Sequence, residues 1–273
     1  MTNDTEGIQG DMLPAERRAR LQEWFIEKVS GSNHDLARTF NTSISTIRRD
    51  LDYLASLGVV RRTHGGAVRL RKRATFEPSV DEARQSAIDE KRAIAKVAVR
   101  RIERDQSLFL DTGSTLHELA HLIVEIDFPL TVVTNDILIA HILTGNPNVK
   151  LVVPGGSRRE GAYALLGEPA ISFLRDLKCD QYFLTAQAID LECISDISPE
   201  LVQLKRAMLE SAERTTLLVD SSKFITRAFY RISTLESLAE IITDSGLGDE
   251  DRERFAVKGI PITFAPLDTE AGA

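Results

Sequence analysis

The chain is poor in cysteine, tryptophan and methionine. Its 273 residues include 2 Cys, 1 Trp and 3 Met, and aromatic residues make up 6%. Cys179 and Cys193 stand apart, with no CxxC pair and no histidine cluster beside them. That argues against a disulfide framework and against a structural zinc site. No apolar run approaches the roughly 18 residues that would suggest a membrane span. The opening stretch, MTNDTEGIQGDMLP, is polar and acidic and lacks a secretory pattern, so a cytoplasmic protein is expected. No GxGxxG or GxxxxGK[ST] follows any apolar run, which disfavours dinucleotide binding and NTP hydrolysis. Internal repeats and low-complexity segments are also missing.

What is present is ordinary in bulk and uneven in charge. Hydrophobic residues make up 42% and charged residues 27%, enough for a core and, at this length, for two domains. The net charge of −7 divides into −3 over residues 1–15, +7 over 16–73 and −11 over 74–273. A basic segment on an acidic body points to a nucleic-acid module beside a domain that does not bind nucleic acid.

The basic segment reads as three helices and a hairpin. Residues 14–30 carry Leu21, Trp24, Phe25 and Val29 on one face, with Pro14 in the first turn. Residues 34–40 form a short second helix with Leu36, Ala37 and Phe40 inward, and NTS makes a tight turn. In SISTIRRDLDYLASLG (43–58), Ile44, Ile47, Leu51 and Leu54 share a stripe, Ser43 is the expected N-cap and Gly58 the stop. Arg48 and Arg49 lie off that stripe beside Ser45 and Thr46, where a helix in the major groove presents its side chains to bases and phosphates. Two strand-like runs then flank His64-Gly65-Gly66, whose glycines would permit the positive φ of a hairpin turn. Arg61, Arg62 and His64 are the wing's candidates for DNA contact. Together these elements predict a winged helix-turn-helix over 14–70, followed by a linker over 71–80.

Over 81–273 apolar strand-like runs alternate with helices. The strands are SLFL (107–110), TVVT (131–134), VKLVV (149–153), QYFLTA (181–186), TTLLV (215–219), LAEIIT (238–243) and PITFA (261–265), and a helix over 86–104 leads into them. Nearly continuous apolar strands imply an α/β domain with a mostly parallel sheet covered on both faces. Ligands of such sheets bind beyond the carboxyl ends of the strands. There stand Asp111, Gly113, Ser114 and Thr115, then Thr134 and Asn135, Gly155 and Gly156, and Asp220 and Lys223. Small residues and hydroxyls opening a helix suit an anion. The set favours a small, polyhydroxylated and phosphorylated ligand.

STIRRDLDYLASLGVVRRTHGGA closely resembles the winged-helix signature of DeoR-family bacterial transcriptional regulators. DTGST, TVVTN, PGG with Gly167 further on, and DSSKF resemble the successive motifs of that family's sugar-phosphate sensor domain. The resemblance spans residues 14–250. It implies a sensor similar in fold to ribose-5-phosphate isomerase and glucosamine-6-phosphate deaminase. It also implies a repressor of carbohydrate-metabolism genes that binds an operator in double-stranded DNA as a homo-oligomer, dimer or tetramer. Operator affinity would change when a phosphorylated sugar-type metabolite binds, and no cofactor, no catalytic residue and no membrane is expected. By motif, the phosphate loop falls on Asp111, Gly113, Ser114 and Thr115, with pocket residues at Thr134, Asn135, Gly155, Gly156, Asp220 and Lys223. One stretch departs from the family pattern. TAQAIDLECIS (185–195) has Thr185 and Ala188 where glycines are expected, and Gln187 adds bulk that would narrow the approach to a ligand; Asp190 remains a candidate polar contact.

Two other readings compete. A sugar-phosphate isomerase or deaminase would need a general base near the phosphate loop, with Asp111, Asp190 and Asp220 as candidates. His117 and His121 have an i,i+4 spacing compatible with a metal but lack a third ligand in sequence. RNA binding lacks the aromatic platforms used for single strands.

Overall fold

A computed structural model describes residues 12–28, 30–56, 59–69, 72–74, 84 and 86–267. The chain divides into two compact units, Met1–Lys72 and Arg73–Ala273. Val29, Gly58 and most of the stretch expected to be linker lie outside the described residues, although Lys72–Ala74 form a short strand.

In the first unit α1 (Pro14–Glu27), α2 (Asn33–Thr39) and α3 (Ile44–Ser56) close over a small core. Leu21, Phe25, Leu36, Ile47, Leu51 and Leu54 are buried there with Val60 and Ala67. Ser43 does cap α3, its hydroxyl accepting from Thr46 N–H at 3.1 Å. Asn41 makes the sharp turn between α2 and α3 at φ 46, a left-handed conformation that asparagine tolerates. The first helix stops earlier than expected because the chain turns extended. Ser30–Ser32 form β1, which pairs antiparallel with β3 (Gly66–Arg69), itself paired with β2 (Val60–Thr63). The wing is therefore a three-stranded sheet. Its glycines serve differently from expectation, since neither Gly65 nor Gly66 has a positive φ. Gly66 is required by close approach instead: a Cβ there would lie 2.0 Å from the carbonyl oxygen of Gly31.

All seven strands expected in the second unit form one parallel sheet. Across it run Val149–Val152, Leu130–Thr134, Ser107–Leu110, Cys179–Leu184, Ala212–Leu218, Glu240–Asp244 and Ile262–Ala265. Every neighbouring pair is parallel. Alternate residues face opposite sides, which explains the continuous apolar runs. Phe109, Tyr182, Leu184 and Leu217 pack under the helices Glu168–Arg175 and Pro199–Glu210. Leu108, Leu110, Phe183 and Leu218 pack under Ile88–Ala98, Ser114–Ile123 and Ile137–Leu143. The helix expected over 86–104 is α-helical only to Ala98 and ends in a 3-10 turn at Arg101.

Strand order reverses between Ser107–Leu110 and Cys179–Leu184. The chain leaves the first towards one face and the second towards the other, which opens a crevice at their carboxyl ends, the usual place for a ligand in such sheets. A small antiparallel sheet of Ala188–Ile189, Cys193–Asp196 and Tyr230–Thr234 lies beyond the main one.

Candidate functional site

Two surfaces carry the candidate residues. On α3, Ser45, Arg48 and Arg49 are exposed and Thr46 half-buried, with Ser43 holding both hydroxyls at 2.8 Å. The opposite face carries a charge that the apolar pattern did not announce. Asp50 is 1% exposed and accepts from Arg17 Nε at 2.6 Å and Arg18 Nε at 2.8 Å, which ties α3 to α1. In the wing Arg61 and His64 are exposed. Arg62 is engaged, donating to Asp52 at 2.8 Å and to the Gly66 carbonyl at 2.7 Å. It braces the hairpin against α3.

The second surface is a cavity of about 140 Å³ at the crevice, on the scale of a small metabolite. Gly113, Ser114 and Thr115 line it at the start of the 114–123 helix, as do Asp220 and Lys223. Gly113 is the N-cap, has no side chain to satisfy the first turn, and sits at φ 145. The open N–H groups of a helix start and its dipole are therefore turned to an anion. A Cβ on Gly113 would come 3.2 Å from Thr185 Oγ1, so glycine also lets Thr185 pack here.

Asp111 is buried beneath this turn rather than on the cavity wall. Lys205 Nζ donates to its Oδ2 at 2.6 Å, Thr185 donates through both N–H and hydroxyl, and Thr112 N–H caps the other oxygen. Lys205 also donates to the Thr185 carbonyl at 2.8 Å. The pair joins the two strand ends at the switch point to the 199–210 helix. Thr185, which departs from the expected glycine, is part of this knot and still lines the cavity with Ala186 and Gln187.

Four other candidates build the scaffold around the cavity without lining it. Thr134 Oγ1 accepts from Asp136 N–H at 3.1 Å, and Asn135 exchanges hydrogen bonds with the Leu165 backbone. Gly155 and Gly156 have φ 81 and 118 and lead into the hairpin of Ser157–Arg158 and Leu165–Leu166, where a Cβ on Gly156 would meet the Leu166 carbonyl oxygen at 2.5 Å. Asp190 lies elsewhere. It binds Arg227 at 2.6 Å and accepts from Glu192 and Cys193 N–H; its burial works against ionisation, but these donors hold its carboxyl below the usual range.

Sequence reasoning missed Lys91, Asp136, Arg159 and Lys205 and weighed His117 only as a metal ligand, yet all five are on the cavity wall. A signal existed for two of them. Lys91 falls in step with Ile94, Ala95 and Ala98, and Lys205 with Leu201 and Met208, so each lysine interrupts an apolar stripe. Burial pushes the Lys91 ammonium below its ordinary range; Asp220 opposes this and Lys223 reinforces it. Lys91 Nζ donates to the Ser86 carbonyl at 2.5 Å. Asp136 caps the 137–143 helix, accepting from Leu138 and Ile139 N–H, and takes the Thr112 hydroxyl at 2.7 Å. Burial would raise its pKa, but His117 and these donors together lower it. His117 is buried while His121 is exposed, and among the described residues no group of three or more His, Cys, Asp or Glu could hold a metal. Nor is any described helix long and apolar enough to cross a membrane.

Comparison with known proteins covers both surfaces. Residues 17–73 match the DeoR-like helix-turn-helix domain, and residues 86–245 match the DeoR C terminal sensor domain. An uncharacterized HTH-type transcriptional regulator of Haemophilus influenzae is 31% identical over 93% of this chain and 99% of its own length. The glycerol-3-phosphate regulon repressor of the same organism is 33% identical, covering 78% of this chain and 82% of itself. Its L-fucose operon activator is 33% identical over 84% and 91%. Ribose 5-phosphate isomerase A of Methanocaldococcus jannaschii is 18% identical over 51% of this chain and 55% of its own, with a TM-score of 0.38, a likeness too distant to carry an argument.

Proposed function

Since the chain belongs to the DeoR family of helix-turn-helix transcriptional regulators, we propose that it represses carbohydrate-metabolism genes and that a phosphorylated sugar-type metabolite sets its operator affinity. One observation supports the effector reading above the rest. The open helix start at Gly113–Thr115 shares a small cavity with Lys91 and Lys223. Burial lowers the pKa of Lys91, and a phosphate beside it would favour its charged form. In this reading Ser114 and Thr115 also donate their hydroxyls, and Asp220 with Gln187 meets the carbon chain. Asp111, Thr134, Asn135, Gly155 and Gly156 shape the site from behind. The regulator works as a homo-oligomer that sets two copies of α3 about one DNA turn, ~34 Å, apart. Arg48 and Arg49 reach base edges and phosphates, with Ser45, Thr46, Arg61 and His64 beside them.

An isomerase or deaminase reading is weaker. Its base would be a carboxylate near the phosphate, yet Asp111 is engaged by Lys205 and Asp136 is held ionised by its donors. Neither can take a proton from a ligand without giving up these partners.

The test is fluorescence anisotropy on duplexes from upstream of the protein's own and neighbouring genes, with random duplex as competitor and a panel of sugar phosphates. Specific binding that one compound relieves is the expected result. Arg48→Ala with Arg49→Ala should abolish the preference for specific DNA without moving the unfolding midpoint. Equal affinity for random duplex would overturn the regulatory reading, and specific binding that no phosphate compound alters would overturn the effector.

A further inference from the structure

His117 has one nitrogen accounted for and one left over. The residue lies in the first turns of the 114–123 helix, four positions after Gly113, and is 1% exposed on the cavity wall. Nε2 sits 3.1 Å from Asp136 Oδ2. Asp136 is an acceptor fixed by its cap on the 137–143 helix and by the Thr112 hydroxyl, so Nε2 carries a proton and donates to it. Tyr163 packs edge-on against the ring at 6.0 Å. Nδ1 is buried and has no hydrogen-bond partner among the described residues. Buried polar atoms are almost always paired, and each exception asks for an explanation.

We propose that Nδ1 of His117 reads a hydroxyl on the carbon chain of a phosphorylated polyol-like effector whose phosphate rests on the Gly113–Thr115 turn. This rests on the effector reading given above. Asp136, itself held by the Thr112 hydroxyl, fixes the Nε2 edge of the ring. A hydroxyl is the fitting group because it both donates and accepts, and so satisfies Nδ1 whether or not that nitrogen is protonated. An ether or carbonyl oxygen only accepts, and a methylene does neither. The site therefore selects for a hydroxylated chain over a bare alkyl phosphate, as buried polar groups discriminate strongly against a ligand that leaves them unpaired.

Calorimetric titration of the full chain tests this with inorganic phosphate, n-pentyl phosphate and three polyol phosphates: glycerol 3-phosphate, erythritol 4-phosphate and ribitol 5-phosphate. At least one polyol phosphate should bind about tenfold tighter than inorganic or pentyl phosphate. His117→Phe keeps an aromatic ring but neither nitrogen and should erase that margin while leaving inorganic phosphate within about twofold. His117→Asn, which sets an amide near the place of Nδ1, should restore part of the margin and serves if the Phe variant does not fold. Two results overturn the proposal: a margin retained in both variants, or a wild-type chain that binds phosphate but prefers no polyol. Neither touches the anion site. A wild-type chain that binds none of the five probes overturns the effector reading itself and this inference with it.

Discussion

Individual charges in this molecule divide into those that hold the fold and those left for a ligand. Lys205 and Asp111 belong to the first kind, a buried pair whose partners leave neither much to offer. Lys91 shares in both, since it donates to the Ser86 carbonyl and lines the cavity. Its pKa is lowered in the folded protein, so between that value and the unfolded one near 10.5 the unfolded chain holds a proton that the folded chain has released. Stability gains with pH across that window and bears the whole cost below it. Lys91→Met should accordingly raise the unfolding midpoint of the unliganded protein at pH 7, by a few degrees for about 1 kcal/mol recovered. It should also weaken phosphate binding, and its stability advantage should shrink as pH rises towards 10. A lower midpoint in scanning calorimetry at pH 7 would contradict the assignment. Gly113, Ser114, Thr115, Asp220 and Lys223 were legible in sequence because strand ends are. Lys91 and Lys205 were not, because a lysine on a helix reads as solvated until the neighbouring apolar positions are aligned with it.

Secondary elements were more legible than the contacts that fasten them. Seven apolar runs became seven strands because burial on both faces leaves little choice of residue. Ser30–Ser32 was invisible, since SGS has no apolar alternation and becomes a strand only through pairing with β3. The 157–166 hairpin, which brings Arg159 to the cavity, escaped for the same reason. In the first unit α3 is fastened by Asp50, a residue the apolar stripe would leave at the surface. Asp50→Ala strands Arg17, of which 11% of the side chain is exposed, more than the half-exposed Arg18. Loss of the pair should cost this unit about 2–3 kcal/mol, below the usual cost of breaking a fully buried pair because Arg18 can rehydrate. Denaturant unfolding of the variant checks the value. Operator affinity should fall with it even though Asp50 touches no DNA, because α3 loses its fixed seat on α1.

Taken whole, a molecule working as proposed translates occupancy of one unit into affinity of the other. A ligand can do so only by binding one arrangement better than another. The coupling is reciprocal: if saturating effector weakens operator binding by some factor, saturating operator must weaken effector binding by the same factor. Calorimetric titration of effector into free and DNA-bound protein, set against anisotropy with and without effector, should return one number twice. Unequal factors would mean that the two ligands do not report on a single shared equilibrium. Ser86 and Lys91 bear on how this translation is made. They stand at the start of the second unit in chain order, and Ala87 between them holds a left-handed φ of 51 to open the 88–98 helix. A guest that grips Lys91 therefore takes hold of the 88–98 helix, which the chain enters on its way from the DNA-reading unit into the sensor.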